Sequence, residues 1–222
     1  MLELFLAAAL TVAEPKSCLP ADPADVVVER QVLDRGKTAG PLETYSVSRR
    51  GDGPLGYESA RVVIYGTDCR VRYEQVFGDA LEVHLTRAKL GDQAVLVLTA
   101  MSPGGSSIGF DHVVLGYDQD GVFALAPRRL THSNMDGFHV GDLGRGRGEG
   151  LMLWTAIWGD EAHYDPHRYR VRIYRWRGDH FVGPEVWTTR KRYDPDPSDV
   201  AKVLGLPQDQ TDSERFKLFD AW

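Results

Sequence analysis

The residues best suited to chemistry lie in one short segment, Trp158-Gly-Asp-Glu-Ala-His-Tyr-Asp-Pro-His167, in which two histidines and three carboxylates occur within eight residues. Imidazole with carboxylate suits zinc, and suits manganese or iron where water completes the shell. Pro166 opposes the helix that would place His163 and His167 on one face. The segment therefore favours a solvated hairpin loop. The alternative is a metal site formed by Asp160, His163, Asp165 and His167.

A basic, aromatic segment follows, Arg168-Tyr-Arg-Val-Arg-Ile-Tyr-Arg-Trp-Arg177. In a strand, alternation sends Arg168, Arg170 and Arg172 to one face and the intervening apolar residues to the other. Residues 168–192 contain eight Lys or Arg and two acidic residues, a local net charge of +6 in a chain of net charge -6. Such arginines could bind an anionic glycan, a phosphate-bearing polymer or an acidic partner. A solvent-facing strand paired with neighbouring carboxylates is the favoured alternative.

Four tryptophans lie in the same part of the chain: Trp154, Trp158, Trp176 and Trp187. Loop tryptophans can contact a sugar ring or a protein partner, whereas tryptophans on strands are more often core residues. Trp158 opens a loop and is the expected contact, while Trp154 and Trp176 are assigned partly to the core. The predicted ligand-binding set is Trp158, Arg168, Arg170, Arg172 and Trp176. The sequence contains no Gly-x-Ser-x-Gly elbow and no phosphate-binding loop.

The elements that position these residues recur three times along the chain. Thr44, Thr99 and Thr155 lie in apolar segments, 55 and 56 residues apart. Further anchors recur before and after them, namely Val28, Val83 and Phe138 upstream and Tyr65, Tyr117 and Tyr174 downstream. Each anchor lies in a short apolar or alternating segment bounded by Gly, Pro or Asp, which is typical of a β-strand.

A turn and a fourth strand follow each tyrosine, so each copy is predicted to be a four-stranded antiparallel meander. We expect an all-β fold of tandem meanders over residues 14–193, in units of about 25–78, 79–133 and 134–193. Propellers typically have four to eight blades, so three copies predict a propeller-like array that is incomplete or irregular. A C-terminal tail, 194–222, is predicted to carry two short helices, Asp199–Leu204 and one after Asp212.

The third copy contains the segment Asp136-Gly-Phe-His-Val-Gly-Asp-Leu-Gly-Arg-Gly-Arg-Gly-Glu-Gly-Leu-Met-Leu-Trp154, which resembles the FG-GAP or VCBS-type repeat of β-propeller proteins. In that family the loop commonly holds calcium through spaced Asp or Asn side chains. Here Asp142 matches the first acidic position and Glu149 lies near the last, but glycines and arginines fill the positions between them, so the loop is a poor calcium site. The resemblance implies an architecture and the binding of proteins or glycans through loops, and it implies no reaction.

The N-terminal segment and the two cysteines indicate where the protein is located. Residues 1–13 are apolar and are followed by Glu14-Pro15, which predicts a secretory signal peptide; the alternative is a cytosolic chain whose first helix packs on the core. The chain has two cysteines, Cys18 and Cys69, and an even number of cysteines in an exported protein favours a disulfide between them. The expected location is therefore extracytoplasmic, either periplasmic or secreted.

Composition narrows the function classes. The acidic net charge of -6 argues against a general nucleic-acid binder, and no apolar run reaches the roughly 18 residues of a membrane-spanning helix. We expect a non-enzymatic, exported module that binds a protein or glycan through its blade loops. The alternatives are a metal-dependent hydrolase that uses the 160–167 loop, and an inhibitor or immunity-type protein for an extracytoplasmic enzyme. No cofactor is expected, with calcium or zinc as the alternatives.

Overall fold

The computed structural model describes residues 18–19, 22–36, 39–51, 56–104, 107–126 and 129–207. Within these residues the chain forms thirteen β-strands and one α-helix. The predicted signal peptide over 1–13 and the second predicted helix, after Asp212, lie outside the described residues.

The strands form three antiparallel sheets in chain order. Sheet 1 contains β1 (Asp25–Leu33), β2 (Leu42–Arg50), β3 (Tyr57–Tyr65) and β4 (Val71–Phe77). Sheet 2 contains β5 (Glu82–Leu90), β6 (Gln93–Gly104), β7 (Ser107–Tyr117), β8 (Val122–Ala124) and β9 (Leu130–Ser133). Sheet 3 contains β10 (Gly137–Asp142), β11 (Glu149–Ile157), β12 (Arg168–Trp176) and β13 (Phe181–Thr188). The helix, α1, spans Pro197–Leu204.

The prediction of an all-β fold of tandem antiparallel meanders is confirmed, and the array does not close. Sheet 2 differs from the prediction because it has a fifth strand. β8 has only three residues and covers one end of the longer β7, so the other end of β7 keeps an open edge. β9 pairs with that edge, from Gly109 to His112, which satisfies backbone groups that would otherwise stay unpaired.

The three sheets are stacked face to face and bury their apolar faces against each other. The core between sheets 1 and 2 is built from Leu33, Leu42, Val62, Ile64, Leu85, Leu96, Leu98 and Leu115, among others. The core between sheets 2 and 3 includes Leu90, Val95, Val97, Val114, Phe138, Leu151 and Leu153. β5 lies against sheet 1 on one side and against β10 on the other. β5 and β10 are therefore central to the contacts between sheets, whereas β4, β8 and β13 are largely exposed.

Each end of the stack has an apolar face that no further sheet covers. On sheet 1, Cys18 and Leu19 pack against Tyr45, Val47, Val63 and Tyr65. A disulfide between Cys18 and Cys69 ties this segment to the turn between β3 and β4, which confirms the predicted pairing. On sheet 3, Val200, Ala201 and Leu204 of α1 pack on Trp154, Tyr169, Val171 and Ile173. The prediction had placed this helix at Asp199–Leu204.

The threonine anchors all lie on the second strand of their sheets, but not at the same level. Tyr117 pairs with Ala94, five residues before Thr99, and Tyr174 pairs with Leu151, four residues before Thr155. Tyr65 instead pairs with Glu43, one residue before Thr44. The first copy therefore matches the other two in strand order but not in register.

No helix in the described part of the chain has the length and apolar character needed to span a membrane.

Candidate functional site

The three arginines of β12 form a row on one face of sheet 3. Register with β11 places Arg168 opposite Ile157, Arg170 opposite Thr155 and Arg172 opposite Leu153. The alternating apolar residues of β12 are buried beneath α1, so the guanidinium groups point to the opposite face. Arg168 and Arg170 are exposed and Arg172 is half-buried. We call Arg168, Arg170 and Arg172 the arginine row.

The arginine row has no acidic partner among the residues that the structure describes. Other arginines of the chain do have one: Arg61 lies 2.7 Å from Asp25, and Arg175 lies 2.8 Å from Glu185. No Asp or Glu of the described ranges lies within ion-pairing distance of the row, and none of its three members has another hydrogen-bonding partner there. The carboxylates expected of a plain solvent-facing strand are thus not found beside it.

The row is flanked by β13, which adds no negative charge next to it. Arg170 pairs with Thr188, and Arg172 pairs with Val186, whose side chain is 53% exposed. Glu185 belongs to the other face at this level and reaches Arg175 instead. The surface is consequently cationic along its middle, with a hydroxyl and an apolar group on its flank.

Exposed aromatic rings lie at one end of the row, in the loop between β11 and β12. Trp158 is 53% exposed and Tyr164 is 86% exposed. The His163 ring lies 5.7 Å from that of Trp158 and 5.1 Å from that of Tyr164, measured between ring centroids. We call Trp158, His163 and Tyr164 the aromatic loop. It lies at the same end of sheet 3 as Arg168, because Trp158 directly follows Ile157, the cross-strand partner of Arg168, and the Trp158 ring lies 4.8 Å from the ring of His167, which precedes Arg168.

Two placements differ from what the sequence singled out. Tyr164 was not in the predicted ligand-binding set, although a tyrosine beside Pro and Asp in a loop is a signal for exposure. Trp176 was in that set, but it lies in the contact between sheets 2 and 3 and packs edge-on against Phe181, with ring centroids 5.1 Å apart. It is eight residues from Arg168, or about 26 Å along the strand. The structure therefore does not bring Trp176 together with Trp158.

The four predicted metal ligands are spread over different environments. Asp160 and Asp165 are exposed, and the Asp165 carboxylate accepts a hydrogen bond of 2.7 Å from the Ala162 N–H. His167 is fully buried, and its backbone N–H and C=O bond to Tyr193. In the described ranges, no three His, Cys, Asp or Glu side chains come together as a metal-binding group.

His167 offers a direct test of the metal interpretation. In the described part of the chain both of its ring nitrogens are buried without a hydrogen-bond partner. One of them carries an N–H donor, which an apolar side chain in its place would not have. Because an unpaired buried donor costs about 1–3 kcal/mol, we expect His167→Leu to keep or raise the free energy of unfolding in urea. A zinc titration of both proteins is the control. Zinc that stabilises the parent protein but not His167→Leu would contradict this expectation and favour the metal site.

The glycine-rich loop between β10 and β11 clamps the C-terminal end of α1. Arg145 donates a 2.8 Å hydrogen bond to the Val203 carbonyl, and Arg147 donates to the Leu204 carbonyl. A helix leaves its last carbonyls without internal partners, and cations near that end are favourable. The Asp142 carboxylate accepts the Gly144 N–H at 2.9 Å. The arginines of this glycine-rich loop thus hold the C-terminal end of α1 in place.

Loss of the contacts between this loop and α1 should lower the stability of the protein measurably. Arg147→Met keeps the aliphatic stem but removes the donors that reach Leu204 and Gly144. A hydrogen bond from a charged group contributes about 1.5–3 kcal/mol, so we expect a decrease of that size in the free energy of unfolding. Hydrogen exchange of the α1 amides should accelerate as well. Arg177→Met, at an exposed arginine with no side-chain partner in the described residues, is the matched control.

The surface formed by the arginine row and the aromatic loop is suited to binding. It offers guanidinium cations for carboxylate, sulfate or phosphate groups, and exposed rings for apolar or sugar groups. Two acidic residues of the loop are already engaged elsewhere, since Glu161 pairs with Arg192 and the Asp165 carboxylate accepts the Ala162 N–H within its own turn, whereas Asp160 is exposed. Comparison of the chain with protein-family models, with curated proteins and with solved structures finds no significant match.

Proposed function

We propose that the protein is an exported, non-enzymatic binding module that takes up a protein or glycan at the outer part of sheet 3, through the arginine row and the aromatic loop. The observation that carries this proposal is the row itself, three guanidinium groups on alternate residues of one strand with no acidic partner in the described residues.

The energetics of the row favour an anionic ligand. An arginine already paired within the protein must give up its partner before it binds another carboxylate, whereas these three have no such partner in the described part of the chain and exchange water instead. Charge-assisted hydrogen bonds are short and contribute about 1.5–3 kcal/mol each. Because the row is largely exposed, salt should weaken the interaction strongly.

The aromatic loop supplies the second kind of contact. Trp, Tyr and Arg are the residue types that most often dominate binding energy at interfaces. Trp158 and Tyr164 are exposed beside the cationic surface, and His163 lies between their rings. A ligand that covers both features would gain apolar contact as well as ion pairs.

The disulfide supports the location. Structural disulfides persist in oxidising compartments and are rare in the cytosol. The bond between Cys18 and Cys69 closes the N-terminal segment onto sheet 1, just after the residues expected to be the signal peptide. A periplasmic or secreted protein fits both features.

Retention on immobilised heparin tests the cationic surface. The parent protein should be retained, and Arg170→Glu combined with Arg172→Glu should elute at clearly lower salt. The matched control combines Arg87→Glu with Arg177→Glu, which changes the net charge equally at two other exposed arginines. An equal shift in both double variants would mean that only net charge matters, and it would contradict a site on the row. Capture of a native partner that Trp158→Ala abolishes would identify the ligand.

A further inference from the structure

The spacing of the arginine row points to a particular class of ligand. We propose that the site binds an extended acidic segment of a partner polypeptide, with carboxylates on alternate residues facing Arg168, Arg170 and Arg172. This inference rests on the proposed function, because it uses the same surface, and it adds the chemistry and the conformation of the ligand.

The first step is geometric. Alternate residues of a strand recur about every 6.6 Å, so the three guanidinium groups are anchored at that interval along β12. An extended peptide has the same repeat, and its side chains on one face also recur at every second residue. Acidic residues at positions i, i+2 and i+4 of the ligand would therefore each meet one arginine. Three consecutive acidic residues would direct the middle carboxylate away from the row.

The second step concerns the surroundings of each arginine. Arg172 is half-buried and lies between Leu153 and Val186 of the neighbouring strands, whereas Arg168 and Arg170 are exposed. An ion pair at Arg172 would form where less water screens it, so this pair should contribute most. Val186 and Thr188 also flank the row with apolar and hydroxyl groups that suit the backbone and small side chains of a peptide.

The third step is the charge of the remaining surface. Residues 168–192 carry +6 in a chain of net charge -6, so the rest of the chain is strongly acidic. An acidic segment is repelled by most of the protein surface and attracted to the arginine row, which favours binding at the row over binding elsewhere. At the end of the row near Arg168, the aromatic loop offers Trp158 and Tyr164 to an apolar or aromatic side chain of the ligand. The expected recognition element is thus an aromatic residue next to alternating acidic residues.

Two synthetic peptides of identical composition test the proposal. Both peptides contain one tryptophan, three glutamates and the same number of serines. In the alternating peptide a serine stands between successive glutamates, and in the control peptide the three glutamates are consecutive. Fluorescence anisotropy of the labelled peptides with the full-length protein should show roughly tenfold tighter binding of the alternating peptide, as loss of one ion pair implies. Arg172→Gln should remove this preference. Arg87→Gln, at an exposed arginine on β5, should preserve it.

The outcomes separate this inference from the proposed function. Equal affinity for both peptides, or binding of heparin oligosaccharides with no binding of either peptide, would overturn the inference while the row remains a binding site. In either of these two outcomes, heparin retention that depends on Arg170 and Arg172 would still support the proposed function. If neither peptides nor heparin bind in a way that depends on the row, both proposals fail.

Discussion

Replacing Cys18 with serine should lower the free energy of unfolding by about 4 kcal/mol. The bond to Cys69 spans a sequence separation of 51 residues, and closing a loop of that length removes much conformational freedom from the unfolded chain. The loss is a large fraction of the stability of an ordinary domain. Urea unfolding followed by tryptophan fluorescence gives the measurement.

The structural part of this effect should be localised on sheet 1. Cys18 and Leu19 pack on Tyr45, Val47, Val63 and Tyr65, so release of the segment exposes that face. Cys69→Ser and the double variant should behave like Cys18→Ser, because each removes the same bond. The parent protein in reducing buffer should approach them. A decrease below about 1 kcal/mol in the free energy of unfolding of all three variants would contradict a stabilisation of this size by the disulfide.

The strand order was predictable because its signals are local. Alternating apolar residues and tight turns recur in each copy, and the turn at Asp118 shows why: its carboxylate accepts the Asp120 and Gly121 amide hydrogens. A proline-containing turn followed by Ser198, a residue type that often caps helices, also placed the start of α1 to within two residues. The fifth strand of sheet 2 was missed because Leu130–Ser133 is too short to show the alternation of apolar and polar residues that indicates a strand.

The arrangement around the arginine row depends on register, which the sequence does not show. Between Ile173 and Arg175 the pairing of β12 with β13 shifts, so that Glu185 reaches Arg175 while Val186 lies beside Arg172. A different register would place other side chains beside each arginine and could pair the row internally. The three arginines could therefore be placed on one face from their alternation, but the lack of partners could not be predicted.

A second large effect is expected from a stack of aromatic rings in sheets 2 and 3. The His112 ring stacks on Phe138 and on His132, with centroids 4.0 Å and 4.8 Å away, and Phe110 lies beyond His132. His112 is buried and its Nδ1 lies 3.0 Å from the Thr99 hydroxyl oxygen. Its Nε2 is buried without a partner among the described residues. A proton on the His112 ring would have no carboxylate of those residues to pair with.

These surroundings set the pKa of both histidines. Burial lowers the pKa of His112 well below its usual value, and the nearby His132 lowers it further. Burial also lowers the pKa of His132, against the opposing influence of the Ser133 carbonyl and of Asp136 and Asp111. Folding therefore favours the neutral form of each ring, while in the unfolded chain both take up protons below about pH 6.5.

The direction of the pH dependence follows from this proton difference. Above about pH 7.5 both states hold neutral histidines, and the pair adds no pH dependence. As the pH falls through about 6.5, the unfolded state binds more protons, so the free energy of unfolding decreases. Well below pH 6.5 the slope should approach about 1.4 kcal/mol per pH unit for each histidine that stays neutral in the folded state. Carboxylates with a lowered pKa, such as Glu43, lose their contribution only in a more acidic range.

Urea unfolding at pH 7.5, 6.5 and 5.5 would measure this pH dependence, and His112→Gln should reduce the loss of stability between pH 7.5 and 5.5 by about 1.4 kcal/mol, the contribution of one histidine over that interval. The amide keeps an acceptor for Thr99 but does not titrate. Even if the variant is less stable at every pH, the slope remains the readout. His180→Gln, which removes an exposed histidine outside the stack, is the matched control. A parent protein equally stable at pH 7.5 and 5.5 would mean that the stack accepts protons in the folded state, which the burial of both histidine rings argues against.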